Sequence, residues 1–198
     1  IVNTATEYLK RCRNSRQFLH LGFYNPHPPL RPVREAWQAY ADCEFPRRLH
    51  RPDEIEDKPE PLASMMRGRQ DWHEDDFQQY RIGLAAMVTE MDMAIGWLID
   101  WLEQQQMLDD TLLIFSSDHG DFAGDHGMTH KGPAYFDGVM RVPLILHWPN
   151  GLGRQRRVYS NLMEMVDLLP TLIGLCDGVV PDVMMGCDMS GDLLNGRE

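Results

Sequence analysis

With 198 residues, 43% hydrophobic and 25% charged, the chain has the size and composition of a globular domain able to bury a core. Its formal charge of −11 and the lack of any long Lys/Arg run argue against nucleic acid or an anionic membrane as the main partner. No apolar stretch reads as the roughly 18 residues of a membrane helix, and no secretory-type leader opens the chain; because it begins at Ile1 rather than Met, an address signal could lie upstream and localisation stays open.

In chain order, residues 4–14 have helical composition, and QFLHLGF at 17–23 reads as a mostly apolar strand. NPHPP follows at 25–29. Three prolines in four residues fix φ and remove backbone donors, so His27 is expected on a stiff turn at a strand's C-terminal end. Residues 30–73 are rich in Pro and Arg with little periodicity, a long surface excursion of the kind that often shapes a binding site. The clearest helix spans residues 75–106, where Phe77, Tyr80, Leu84, Met87, Val88, Met91, Ile95, Leu98 and Leu102 make one apolar stripe. Met87, Met91 and Met93 read as core filler on it, and Asp92 as a cap partner or solvated position.

Next comes the strand LLIF at 112–115, a polar loop, and a second buried strand, VPLILHW, at 142–148, closed by Pro149-Asn150-Gly151. Residues 161–175 look helical, with Asp167 as a local cap and Pro170 opening a turn, since an interior proline costs a helix about 3 kcal/mol. The short basic cluster at 154–157 reads as a solvated turn, and the Gly- and Asp-rich tail from 178 has little pattern. Cys12, Cys43, Cys176 and Cys187 lack CxxC spacing and are expected as free thiols. Without repeats or linkers the chain reads as one unit. Alternating strands and helices predict an α/β layered domain with a largely parallel sheet flanked by helices. The strands are few, a first sign that the chain is part of something larger.

The chemistry concentrates after the strand at 112–115. In open α/β sheets ligands bind beyond the carboxyl ends of strands, where Asp118 and His119 fall. An Asp beside a His offers a hard oxygen and a borderline nitrogen, suited to a catalytic divalent ion with open positions. Two ligands are too few, so either Asp121, Asp125, His126 and His130 contribute or the others lie outside these residues. Three histidines in twelve residues, a Gly120 that allows a tight turn and Lys131 just beyond suggest an anion-handling site, with Lys131 as a point charge for a tetrahedral oxyanion. His27 is a candidate general acid for a leaving group.

DTLLIFSSDHGD, GDHG, HKGP and RVPLI, with FLHLGFYNPHPP, VTEMDMAIGWLIDWLE and DLLPTLIGL in the same order, resemble the C-terminal half of the sulfatase catalytic domain in the alkaline phosphatase superfamily. The resemblance implies an alkaline-phosphatase-like α/β fold, with residues 1–198 a partial catalytic domain. It implies that Asp118 and His119 are metal ligands, His119 standing where many members carry Asn, as in phosphonate monoester hydrolases and some sulfatases. It makes Lys131 the lysine on the transferred group's oxygens and His27 the histidine at the ester oxygen. His126 and His130 become supporting or pocket residues. The metal implied is one divalent ion, calcium ahead of magnesium, manganese or zinc. The substrate implied is a small-molecule or carbohydrate sulfate ester, with oligomeric state open.

The family's nucleophile is a formylglycine made within Cys/Ser-x-Pro-x-Arg, and that motif is absent. Cys12-Arg13-Asn14-Ser15-Arg16 has Asn where Pro is needed, and Cys43-Glu44-Phe45-Pro46-Arg47 has Pro and Arg displaced by one. The paired aspartates of the family's N-terminal part are missing too. The nucleophile and remaining ligands are therefore expected before Ile1, and these residues alone are expected to be inactive. The rival readings are a phosphonate or phosphate ester hydrolase on the same scaffold and a non-catalytic relative.

Overall fold

The structure, a computed structural model, describes residues 1–132 and 134–196. Their contacts group into two compact units, one of residues 1–104 and 119–143, the other of residues 105–118 and 144–198.

The first unit is helical. Helix α1, Val2–Arg11, buries Val2, Ala5 and Leu9 on one face and sets Lys10 and Arg11 in its last turn, where cations complement the helix dipole. Helices α2, Arg34–Gln38, and α3, Glu60–Arg67, give the 30–73 excursion more regular structure than its weak periodicity suggested. Helix α4, Glu74–Gln104, is the 31-residue spine. Glu74, Asp75 and Asp76 crowd its first turn, and the Asp76 carboxylate accepts from the His73 N–H at 2.8 Å. Both α1 and α2 pack on α4. Gly83 allows one close approach: a Cβ there would lie 3.0 Å from Leu30 Cδ1 and 3.2 Å from Trp37 Cζ3.

Residues 119–143 complete this unit. They contain a 3-10 turn, Asp125–Gly127, and helix α5, Asp137–Met140, and place Phe122, Met128, Ala134 and Val139 against Met66 of α3 in an apolar core.

Several expectations are corrected. Phe77, Tyr80, Met87, Leu98 and Leu102 of the α4 stripe are buried, but Val88 is 44% exposed and Met93, read as core filler, 52% exposed. By length and composition α4 is also apolar enough to cross a membrane, with a window of mean hydropathy 1.5, which the sequence reading overlooked. Here Tyr80, Arg81, Thr89 and Glu90 bond to neighbouring segments of the unit, and 28% of that apolar window is buried. Residues 17–23 form no strand: a strand needs a ladder partner, none of the described residues pairs with them, and Phe18 is 78% exposed.

The second unit holds the sheet. Strands β1, Leu113–Ser116, and β2, Leu144–His147, pair antiparallel, Leu113 opposite His147 and Ser116 opposite Leu144. The domain is α/β as expected, but this pair is not parallel. A parallel pair needs a crossover, usually a helix, and between β1 and β2 the chain carries only the short turn and α5. β2 alternates half-buried and exposed positions and is not fully buried. Pro149–Leu152 forms the single turn α6, which packs on the Leu108–Asp110 turn. The 154–157 cluster is more than a solvated turn, for Arg154 bonds Asp109 and Arg157 donates to the Leu152 and Leu193 carbonyls.

Helix α7, Met165–Leu175, contains Pro170 fully buried in its interior, where a turn was expected. Tertiary bonds compensate for the ladder bond that proline cannot make. The buried Asp167 caps the helix by accepting from the Glu164 N–H at 2.8 Å, and also accepts from the Cys187 N–H at 2.7 Å. The Thr171 hydroxyl accepts from the Met189 N–H at 3.0 Å. These bonds hold the tail beside α7 and lead it into helix α8, Ser190–Asn195. All four cysteines are free thiols, as expected.

The Cys187 and Glu164 N–H groups hold the Asp167 carboxyl below its usual 3.8. A depressed carboxylate contributes stability above the unfolded value and loses it as pH falls through the folded one. Asp167→Asn should therefore lower the thermal midpoint at pH 7 and flatten its fall on acidification below pH about 4. Equal acid sensitivity in both proteins would show that Asp167 is not the group responsible.

Candidate active site

β1 delivers the chain to Asp118, which is exposed two residues beyond the strand, at the carboxyl end where chemistry was expected. His119 is half-buried, and its Nδ1 lies 2.8 Å from the Gly120 carbonyl oxygen. A carbonyl only accepts, so Nδ1 carries the proton and Nε2 carries the lone pair. Metal-binding histidines are commonly oriented by such a bond, so the chemistry of this imidazole suits a divalent ion. Among the described residues no three His, Cys, Asp or Glu side chains group as metal ligands. Gly120 is required for a reason other than a tight turn: its N–H bonds the Val139 carbonyl at 2.8 Å, and a Cβ there would sit 2.0 Å from the Gly138 oxygen.

The other candidate ligands are engaged elsewhere. Asp121 accepts from the Tyr80 hydroxyl at 2.8 Å, the Ala123 N–H at 2.8 Å and the His130 N–H at 3.2 Å. Asp125 accepts from the Leu49 N–H at 2.9 Å and from Arg81. His126, at a positive φ of 55°, makes a short bond to the buried Glu54 and lies against Phe136, with ring centroids 4.2 Å apart. These groups shape the loop.

His130, also at positive φ, sets its ring edge-on to Tyr80, while its N–H meets both the Tyr80 hydroxyl and Asp121. Burial lowers its pKa, Asp121 opposes this, and Arg69, His27 and Lys131 lower it further. The imidazole is thus held neutral near pH 7. His27 and Lys131 thus both act electrostatically on His130 within the same unit. Lys131 is exposed, and Pro133 of the HKGP motif lies outside the described residues.

His27 is exposed on a tight turn, its N–H bonded to the Tyr24 carbonyl at 2.9 Å and its ring 5.0 Å from that of Tyr24. Its Nδ1 lies 2.7 Å from the Pro28 carbonyl, which assigns the proton to Nδ1 and leaves Nε2 as the exchangeable nitrogen.

The sequence reading missed Tyr80, Arg81 and Glu54 as supports. Burial, and then the Asp121 charge, raise the Tyr80 hydroxyl well above its usual 10, so it remains a donor. Arg81 donates to the Pro46 and Ala123 carbonyls at 2.5 and 2.6 Å. Arg48 donates to Glu74 and to the Gly124 carbonyl with its guanidinium over the Phe77 ring, so the 30–73 excursion braces the loop as well as covering it. Tyr80 and Arg81 hide in the sequence as ordinary members of a helix face; only the helical register, which puts them beside an Asp-rich loop, could have marked them.

The sulfatase family model matches residues 1–179. The arylsulfatase of Clostridium perfringens is 28% identical over 214 aligned positions, covering 100% of this chain and 41% of its own length. The choline-sulfatase of Rhizobium meliloti is 34% identical over 79% of this chain and 31% of its own. Among solved structures, the phosphonate monoester hydrolase of Silicibacter pomeroyi superposes with a TM-score of 0.83 at 25% identity, over 100% of this chain and 42% of that one. The fold is thus that of the alkaline-phosphatase-like hydrolases. Within that class the chain belongs to the sulfatase family, and it spans about two fifths of the length of the first of these relatives.

Tyr80→Phe removes the hydroxyl that bridges Asp121 and the His130 N–H, and should cost roughly 1–3 kcal/mol in denaturant unfolding. It should also speed hydrogen exchange at the His130 amide. An unchanged exchange rate would mean that another contact holds the loop.

Proposed function

We propose that this chain is part of a metal-assisted, formylglycine-dependent sulfuric ester hydrolase, with residues 1–198 forming one partial catalytic domain. The formylglycine belongs outside these residues, which by themselves lack a nucleophile. The observation that supports the reading best is the sulfatase family match over residues 1–179, in a chain that carries Asp118 and His119 just beyond the carboxyl end of β1.

Each residue has a chemical part. Asp118 and the Nε2 of His119 would hold one divalent ion, calcium ahead of magnesium, manganese or zinc. Such an ion supplies Lewis-acid polarisation of the ester oxygens. Lys131 places its ammonium against the charge that grows on the oxygens of the transferred group. His27, with Nδ1 committed to Pro28, gives or takes its proton at Nε2, the role of an acid for the leaving oxygen. His130 is held neutral and adds no charge to the anion subsite. The substrate is a small-molecule or carbohydrate sulfate ester.

A second reading on the same scaffold, a phosphonate or phosphate ester hydrolase, is favoured by His119 and by the similarity to the phosphonate monoester hydrolase fold. Turnover of an aryl sulfate against an aryl phosphonate monoester separates the two.

In the protein expressed from its complete natural coding sequence, His27→Ala and Lys131→Ala should each lower kcat/KM by about 10²–10⁴. Unchanged turnover of every sulfate, phosphate and phosphonate ester would overturn these roles. Asp118→Ala and His119→Ala should each reduce the divalent metal that copurifies, measured by elemental analysis; full retention in both would remove them from the ligand set.

A further inference from the structure

We propose that Glu90, on α4, is a positioning residue for His27. The proposal rests on the hydrolase reading of His27 and adds the device that holds it. The Glu90 carboxylate accepts from Asn25 Nδ2 at 3.1 Å through Oε2 and from the Val33 N–H at 2.5 Å through Oε1. Asn25 and Val33 flank the turn that carries His27, so one side chain holds both ends of the loop.

Two further hydrogen bonds of this turn are internal: the Tyr24 hydroxyl and His27 Nδ1 both donate to the Pro28 carbonyl. They shape the turn but do not locate it. α4 anchors it through the two bonds to Glu90 and through Leu30 resting over Gly83. Hydrogen bonds to a charged acceptor are about twice as strong as neutral ones, and a carboxylate presents two acceptor oxygens in fixed geometry. Proton transfer to a leaving oxygen demands hydrogen-bond reach, so a displacement of about 1 Å is enough to disable an acid.

Leaving groups of different basicity provide the test. An acid matters for phenyl sulfate, whose leaving oxygen needs a proton, and little for 4-nitrophenyl sulfate, whose anion departs unaided; the corresponding phosphonate pair serves if the wild-type protein prefers phosphonates. In the protein from the complete coding sequence, Glu90→Ala should lower kcat on the phenyl ester by about 10–100-fold and on the nitrophenyl ester by less than about threefold. Asn25→Ala, which leaves Glu90 in place, should lean the same way. Glu90→Gln, with one accepting oxygen left, should fall between, and it carries the test if Glu90→Ala does not fold. In a His27→Ala background Glu90→Ala should add almost nothing.

Equal losses on both esters, or a full additional loss in the His27→Ala background, would make Glu90 a general structural residue and overturn the proposal. If His27→Ala itself shows no leaving-group dependence, the acid role of His27 falls first and the Glu90 assignment with it.

Discussion

Loops that carry chemistry have backbone groups with no ladder to join, and those groups must be satisfied by something rigid. In the first unit that something is the polar side of α4. Arg81 takes the Pro46 and Ala123 carbonyls, Tyr80 meets the His130 N–H, and Glu90 takes the Val33 N–H. One helix thereby organises the loop of the predicted acid and the loop of the predicted anion-binding lysine. The apolar face of α4 packs it into the unit, while these few polar residues convert its stiffness into positions for His27 and His130-Lys131.

The second unit solves a different problem by similar means. Pro170 should weaken α7, yet the helix persists because Asp167 and Thr171 reach across to the backbone at 187 and 189. An apparently patternless tail thus becomes the partner that keeps a proline-bearing helix intact. Local propensity is overridden here by three well-placed hydrogen bonds.

These cases show what was legible in the residues. α1, α4, α7 and both strands were readable because period and length are local properties. The carboxyl-end position of Asp118 followed from β1 alone. Sheet direction was not readable, since alternation of elements cannot report whether a connection crosses over. Residues 17–23 looked like a strand because their composition suits one, but strand formation depends on a partner segment. The competing ligand candidates Asp121, Asp125 and His126 could not be separated from Asp118 and His119 by residue type. Nor could residue type show that Tyr80, Leu49 and Glu54 each come from far away in the chain to bond Asp121, Asp125 and His126.

The N–H of Gly120 is taken by Val139 and the Gly138 carbonyl fills the space where any side chain would begin, so the main chain next to His119 is held against the 138–139 segment. Replacing the imidazole at 119 leaves this neighbouring backbone contact in place, whereas any side chain at 120 would have to push the Gly138 carbonyl aside.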